Sequence, residues 1–163
     1  MAIFRAGSRK RDSASIGVGS NGGSAIKMNG SQPSPDEVDR PATGILVVED
    51  EELLTLHLTD MLEDLGYEVA ATAASGVQAL RKTGELPAAP ALALVDISLK
   101  GGMDGVELAI ELKRLGVPTL FLTGAWDERV HDRARAAAPV GHLLKPYTEA
   151  ALRQALAQVL PRT

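Results

Sequence analysis

Short branched apolar runs that alternate with amphipathic segments constrain the fold of this chain more than any other feature. The runs "ILVV" at 45–48, "ALALVDI" at 91–97 and "VPTLFLT" at 117–123 are apolar at nearly every position. A strand with one buried face would alternate apolar and polar residues, so such runs indicate strands that are covered on both sides. Strands of this kind occur in parallel sheets with helices on each face.

Segments with helical spacing separate these runs and give five strand–helix units. The predicted strands are 45–48, 67–73, 91–97, 117–123 and 141–145, and the predicted helices are 51–65, 75–83, 104–115, 127–138 and 148–160. Ser75 and Asp104 are suitable residues to cap their helices. We therefore predict an α/β fold with a five-stranded parallel sheet, whose ligand site lies at the carboxyl ends of the strands.

Residues 1–42 differ in composition from the rest of the chain. They are rich in Gly, Ser and Pro, as in "GVGSNGGS", and lack periodicity, so we predict a disordered tail followed by one domain at 43–163. The tail carries six basic and four acidic residues, whereas residues 43–163 carry eleven basic and seventeen acidic residues. An acidic domain argues against nucleic acid as a partner.

Membrane and disulfide signals are missing from the sequence. The chain has no cysteine, and its basic N-terminus is not followed by the apolar stretch of a secretory signal. Its apolar runs are shorter than the roughly 18 residues that a membrane-spanning helix needs. We expect a cytoplasmic protein with no membrane partner.

Charged and hydroxyl side chains stand where the predicted strands end. Glu49 and Asp50 follow the first strand, and Asp96, Thr123 and Lys145 end the third, fourth and fifth. Carboxylates crowded at one sheet edge need a cation, and hard oxygen ligands suit Mg²⁺. Beside Mg²⁺ a carboxylate can attack phosphorus to form an aspartyl phosphate, with an ammonium and a hydroxyl contacting the phosphoryl oxygens.

The stretches "ILVVEDEE", "ALVDISLKGGMDG", "LFLTG" and "GHLLKPY" resemble the four signature stretches of the response-regulator receiver domain of two-component signalling. The resemblance covers roughly residues 44–160 and implies a flavodoxin-like doubly wound fold with strand order 2-1-3-4-5. It implies a phosphoacceptor that takes its phosphoryl group from a histidine kinase or a histidine phosphotransfer protein. It implies no enzymatic activity beyond self-phosphorylation and autodephosphorylation.

The metal ligands follow from the resemblance, position by position. Asp96 would be the phosphoacceptor. Asp50 and Asp96 would ligate Mg²⁺ directly, together with the backbone carbonyl of Ser98, and Glu49 would act mostly through water. The loop "SLKGG" after Asp96 replaces the family's usual Met-Pro and is one residue longer, which leaves the geometry around Ser98 open.

The phosphoryl contacts and the switch also follow from the resemblance. Thr123 and Lys145 would contact the phosphoryl oxygens, and the Lys145–Pro146 peptide bond would be cis. His142 occupies the switch position, where the family commonly has Tyr or Phe. The first helix, with Leu54, His57 and Leu58, would dock the kinase.

The output follows from how soon the chain ends after the last predicted helix. With Thr163 so close, we expect a stand-alone receiver that signals through a protein–protein contact. The contact surface would be 126–160, which would also serve a homodimer. Two alternatives are a degenerate receiver that is a constitutive binding module and an aspartyl-phosphate phosphohydrolase. The hydrolase would normally need a second acid two residues after the nucleophile, where this chain has Ser98.

Overall fold

The computed structural model describes residues 44–160 of the protein, so the tail predicted for 1–42 lies outside the described residues. In chain order the elements are β1 (Gly44–Val48), α1 (Glu52–Asp64), β2 (Glu68–Ala73), α2 (Gly76–Glu85), β3 (Leu92–Asp96), α3 (Gly105–Arg114), β4 (Thr119–Thr123), α4 (Glu128–Ala134), β5 (Gly141–Leu144) and α5 (Glu149–Val159). A short 3-10 helix at Arg135–Ala137 follows α4.

The five strands form one parallel sheet in the order β2-β1-β3-β4-β5. This order confirms the predicted fold class. The chain reverses its direction of winding between β1 and β3, and these two strands are neighbours. In such a sheet the loops after the two strands at the reversal diverge and leave a crevice at their carboxyl ends.

The central strands bury both faces, as their unbroken apolar runs predicted. Alternate residues of β1, such as Ile45 and Val47, face a core shared with α1 and α5. Their neighbours Leu46 and Val48 face a second core shared with α2, α3 and the α4 region. Residues in β1, β3 and β4 are buried throughout. Two covered faces hold the sheet rigid, so its carboxyl edge is a fixed platform for side chains.

The helix ends follow local chemistry. The side chains of Ser75 and Asp104 accept backbone hydrogen bonds at the starts of α2 and α3, which confirms both predicted caps. The helix predicted over 127–138 is shorter, because α4 ends at Ala134 and the 3-10 helix ends at Ala137, with the C-cap Ala138 at a φ of 43°. Pro139 follows, and a residue before proline is disfavoured in the right-handed helical region.

Gly105 places α3 directly against the end of β3. A Cβ atom at this position would overlap the Asp96 carbonyl oxygen and lie 2.7 Å from the Ile97 Cα. Only glycine therefore allows the helix to begin this close to the residue that ends β3. Within the described part of the chain, no helix is long and apolar enough to cross a bilayer.

Candidate functional site

Three carboxylates meet at the carboxyl edge of the sheet. One carboxylate oxygen each from Glu49, Asp50 and Asp96 lies within 4.8 Å of the others. β1 delivers the first two and the neighbouring β3 delivers the third, so the parallel pairing of these strands brings them together. Glu49 is only 3% exposed and Asp96 is 7% exposed, whereas Asp50 is partly open to solvent. The cluster predicted from the strand ends is therefore present.

Lys145 joins this cluster from the end of β5. Its Nζ lies 2.9 Å from Glu49 Oε2 and 3.1 Å from Asp96 Oδ2, so one ammonium bridges both buried carboxylates. The Lys145 backbone N–H donates to the Thr123 carbonyl oxygen at 2.8 Å, which extends the strand pairing up to the site. The Lys145–Pro146 peptide bond is cis, as the resemblance implied.

Burial and the contact between Glu49 and Lys145 shift the pKa of each of these two groups in opposite directions. Burial raises the pKa of Glu49, against the hydrogen bond from Lys145 that lowers it, and the charge of Asp96 raises it further. For Lys145, burial would lower the pKa, but the hydrogen bonds and charges of Glu49 and Asp96 outweigh it and the pKa is raised. Lys145 is therefore held in its charged form, and its positive charge offsets the repulsion between the carboxylates of Glu49 and Asp96.

The donor set fits a hard divalent cation. Three carboxylates and one ammonium leave two negative charges in a partly buried cluster, and all the donor atoms are oxygens. Oxygen donors in this number suit Mg²⁺ or a similar ion. Ser98 lies in the loop that follows β3, and its backbone N–H donates to Asp96 Oδ1 at 2.9 Å. A metal contact from the Ser98 carbonyl stays a prediction.

Thr123 stands at the end of β4 and is 3% exposed. Its hydroxyl donates to the Ala125 carbonyl oxygen at 2.7 Å and accepts from the Ala125 N–H at 3.3 Å. The side chain thus closes a tight turn in the loop before α4. To donate to a phosphoryl oxygen, as predicted, the hydroxyl has to leave the Ala125 carbonyl.

His142 lies on β5 with its ring stacked on Trp126. The two ring centroids are 4.0 Å apart and the planes are 6° from parallel, and Trp126 also meets His131 edge-on at 6.1 Å. His142 is exposed to solvent. Partial desolvation lowers the pKa of His142, and the charge of the nearby His131 lowers it further. Nothing in the sequence pattern pointed to this stack, because Trp126 lies in a loop between two elements.

The exposed face of α1 differs from the predicted one. Leu58 is 1% exposed and belongs to the core beneath α1, so its prediction as a docking residue is wrong. Leu54 and His57 are exposed as predicted. Leu53 and Leu56 are also exposed, to 79% and 57%, and the prediction missed them. Leu58 repeats at helical spacing with Met61 and Leu62, and that stripe faces the sheet.

A second connection beside the site was also missed. Arg133 on α4 forms an ion pair with Asp104, the N-cap of α3, across 29 residues of sequence. Sequence periodicity does not predict an ion pair between residues this far apart in the chain. The two residues line one groove with Ser98, Thr123 and Ala125.

Comparison with known proteins agrees with this fold. Residues 45–157 match the family model described as "Response regulator receiver domain". Over 120 residues the chain is 33% identical to the phyllosphere-induced regulator PhyR of Methylorubrum extorquens, a match that covers 73% of this chain and 44% of PhyR. The chain thus spans about half the length of the curated relatives it matches.

Solved receiver structures are similar as well. The signal receiver domain of a modulated diguanylate cyclase from Desulfovibrio desulfuricans is 36% identical with a TM-score of 0.67, covering 74% of this chain and 94% of that one. The chemotaxis protein CheY4 of Vibrio cholerae is 27% identical with a TM-score of 0.67, covering 74% of this chain and 100% of that one. The chain belongs to the response-regulator receiver family, the class of domain that serves two-component signalling.

Proposed function

We propose that this protein is a phosphoacceptor response regulator that is phosphorylated on Asp96 and signals through protein–protein contacts. The observation that carries the proposal is the Lys145 ammonium bridging Asp96 and Glu49 beside Asp50. A lysine shared between two buried carboxylates is already where a phosphoryl group on Asp96 would need a cation. The Asp96 side chain is 9% exposed, and the neighbouring Asp50 is partly open to solvent.

The proposed transfer needs one bond made and one bond broken. An Asp96 carboxylate oxygen attacks the phosphorus of a phosphohistidine, the nitrogen–phosphorus bond breaks, and the imidazole leaves with the electron pair and takes a proton from solvent. Mg²⁺, held by Glu49, Asp50, Asp96 and the Ser98 carbonyl, would supply charge neutralisation. Lys145 orients the phosphoryl oxygens. Water later hydrolyses the aspartyl phosphate, which returns Asp96 to its free carboxylate.

The partners follow from the exposed surfaces. The exposed side of α1 carries three leucines and one histidine: Leu53, Leu54, Leu56 and His57. We propose this side as the docking face for a histidine kinase or phosphotransfer protein. The output surface would be 126–160, for a downstream protein or a second copy of the chain. The acidic charge of residues 43–163 disfavours nucleic acid. Because phosphohistidine donors are made from ATP, the proposal includes a cytoplasmic location.

Phosphorylation with a small-molecule donor tests the proposal. The full chain, incubated with Mg²⁺ and acetyl phosphate, should gain the mass of one phosphoryl group in an acid-stable, base-labile adduct. Asp96→Asn should abolish the adduct, whereas Asp60→Asn, an exposed acid on α1, should leave it unchanged. An adduct that persists in Asp96→Asn would refute the site. A complete lack of adduct with any donor would favour a constitutive binding module, and rapid turnover of phosphate esters would favour a hydrolase.

A further inference from the structure

A groove beside the site connects the phosphoacceptor loop to α4. Its volume is about 460 Å³, and its lining includes Ser98, Leu99, Asp104, Thr123, Ala125 and Arg133. The Ser98 backbone N–H donates to Asp96 Oδ1 at 2.9 Å, and Thr123 follows Leu122, the residue that pairs with Asp96 in the sheet. Ser98 and Ala125 are both small, so their side chains leave the groove open. Arg133 brings a guanidinium to the same groove from α4.

The present partner of Arg133 can release it at little cost. Asp104 uses Oδ1 to accept the Val106 and Glu107 N–H groups, each at 2.9 Å, and uses Oδ2 for Arg133. Its role as helix cap does not depend on Arg133. The side chains of Arg133 and Asp104 are 57% and 36% exposed. An ion pair this open to solvent adds little to stability, and neither charge would be left buried if it separated.

The proposed phosphorylation changes the charge at Asp96, which directly precedes the groove residues Ile97 and Ser98. An aspartyl phosphate replaces the single negative charge of Asp96 with a phosphoryl group that carries nearly two. Lys145 is already shared between Glu49 and Asp96. With a divalent cation bound, the cluster would be close to neutral before phosphorylation and negative afterwards. The planar guanidinium of arginine, with several donors, suits phosphoryl oxygens well.

We propose that Arg133 is a second phosphoryl-binding residue, which Asp104 holds until Asp96 is phosphorylated. Arg133 then leaves Asp104 and hydrogen-bonds a phosphoryl oxygen through the groove. The inference rests on the proposed function and adds a residue to it. It differs from a purely structural reading, in which the Arg133–Asp104 pair only fastens α4 to α3.

Two substitutions separate these readings, because they remove opposite partners. Beryllofluoride with Mg²⁺, a stable phosphoryl mimic, is titrated into the full chain and followed by ¹⁹F NMR. Arg133→Gln should weaken its binding about fivefold, since a charged donor is lost. Asp104→Asn keeps a good helix cap but no longer competes for Arg133, so it should strengthen binding by a few-fold. If the pair were only a fastener, both substitutions would act in the same direction.

The double variant and matched controls complete the test. The gain from Asp104→Asn should vanish in the Arg133→Gln background, which excludes a general field effect of the lost carboxylate. Arg133→Lys should restore most of the binding. Arg135→Gln removes the same charge two residues away, outside this groove, and should have little effect. Wild-type binding with both single variants weakened would overturn the inference alone, whereas no wild-type binding would overturn the proposed function as well.

Discussion

The Lys145 ammonium forms ion pairs with both buried carboxylates of the site, Glu49 and Asp96. Without it, Glu49 and Asp96 would face each other in a buried position with no cation between them. Lys145→Met keeps the length of the side chain and removes the charge. We expect the free energy of unfolding without Mg²⁺ to fall by about 1–3 kcal/mol, because Glu49 and Asp96 lose the hydrogen-bond donor that they share. Urea denaturation with and without MgCl₂ measures this.

Mg²⁺ should stabilise Lys145→Met more than the wild type. The variant has an additional uncompensated charge for the ion to neutralise, so its urea midpoint should rise further with MgCl₂. Lys113→Met, an exposed lysine in the last turn of α3, is the matched control and should show the wild-type response. Equal Mg²⁺ responses in Lys145→Met and the wild type would contradict an ion site at this cluster.

His142 gives the site surface a dependence on pH. Its pKa is lowered from 6.5 in the folded protein, chiefly by partial desolvation and then by the charge of His131. A lowered folded-state pKa means that folding favours neutral His142. The stabilisation that neutral His142 provides is complete at pH values above its pKa in the unfolded chain. It is lost as the pH falls through the pKa of His142 in the folded protein.

The comparison of His142→Gln with the wild type tests this sign. Between about pH 8 and pH 5 the wild type should lose more unfolding free energy than His142→Gln, because the variant has no group to protonate there. His57→Gln, made on the exposed face of α1, controls for the loss of a histidine elsewhere. If the unfolding free energy of His142→Gln fell with pH in parallel with that of the wild type, protonation of His142 would not be linked to stability.

At the scale of elements, the approach of α3 to β3 depends on Gly105. A methyl group there would overlap the Asp96 carbonyl oxygen, so the helix has to move away from the site. Gly105→Ala should therefore lower the free energy of unfolding by about 2 kcal/mol or more. Gly84→Ala is the matched control, since a Cβ on that residue of α2 meets nothing within 4 Å. Gly84→Ala should be neutral or stabilising, by up to about 1 kcal/mol. Equal effects in urea denaturation would contradict the packing argument.

Sequence predicted the elements well and their outward faces less well. Buried strands are recognisable because both faces are apolar, and parallel pairing then requires Glu49, Asp50 and Asp96 to meet. The rotation of a helix about its axis is harder to predict. The docking role predicted for Leu58 is wrong, because Leu58 repeats with Met61 and Leu62 on the face that packs on the sheet.

At the scale of the whole molecule, contacts between distant residues connect the site to its surroundings. The Arg133–Asp104 pair and the Trp126–His142 stack each join elements that are far apart in sequence. Neither follows from local periodicity, because both depend on how loops place whole helices. The described structure thus adds to the predicted site the connections that link it to α4 and β5.

One such connection runs from Thr123 to the surface of β5. The Thr123 hydroxyl bonds the Ala125 carbonyl oxygen, and the next residue, Trp126, stacks on His142. On the proposed phosphorylation we expect the hydroxyl to turn to the phosphoryl group, so that this turn loses a hydrogen bond and the stack on β5 loosens. A change that begins at the sheet edge would in this way reach the proposed output surface.

Trp126 reports this change directly, because it is the chain's one tryptophan. Saturation with beryllofluoride and Mg²⁺ should shift its fluorescence in the wild type, since the ring leaves the histidine that stacks on it. Thr123→Ala lacks the hydroxyl that joins the turn to the site, so the shift should be lost even where ¹⁹F NMR shows the ligand bound. Thr148→Ala, which removes a helix-cap hydroxyl at the start of α5, should keep it. A wild-type shift that survives in Thr123→Ala would mean that the signal reaches β5 by a route other than the Thr123 turn.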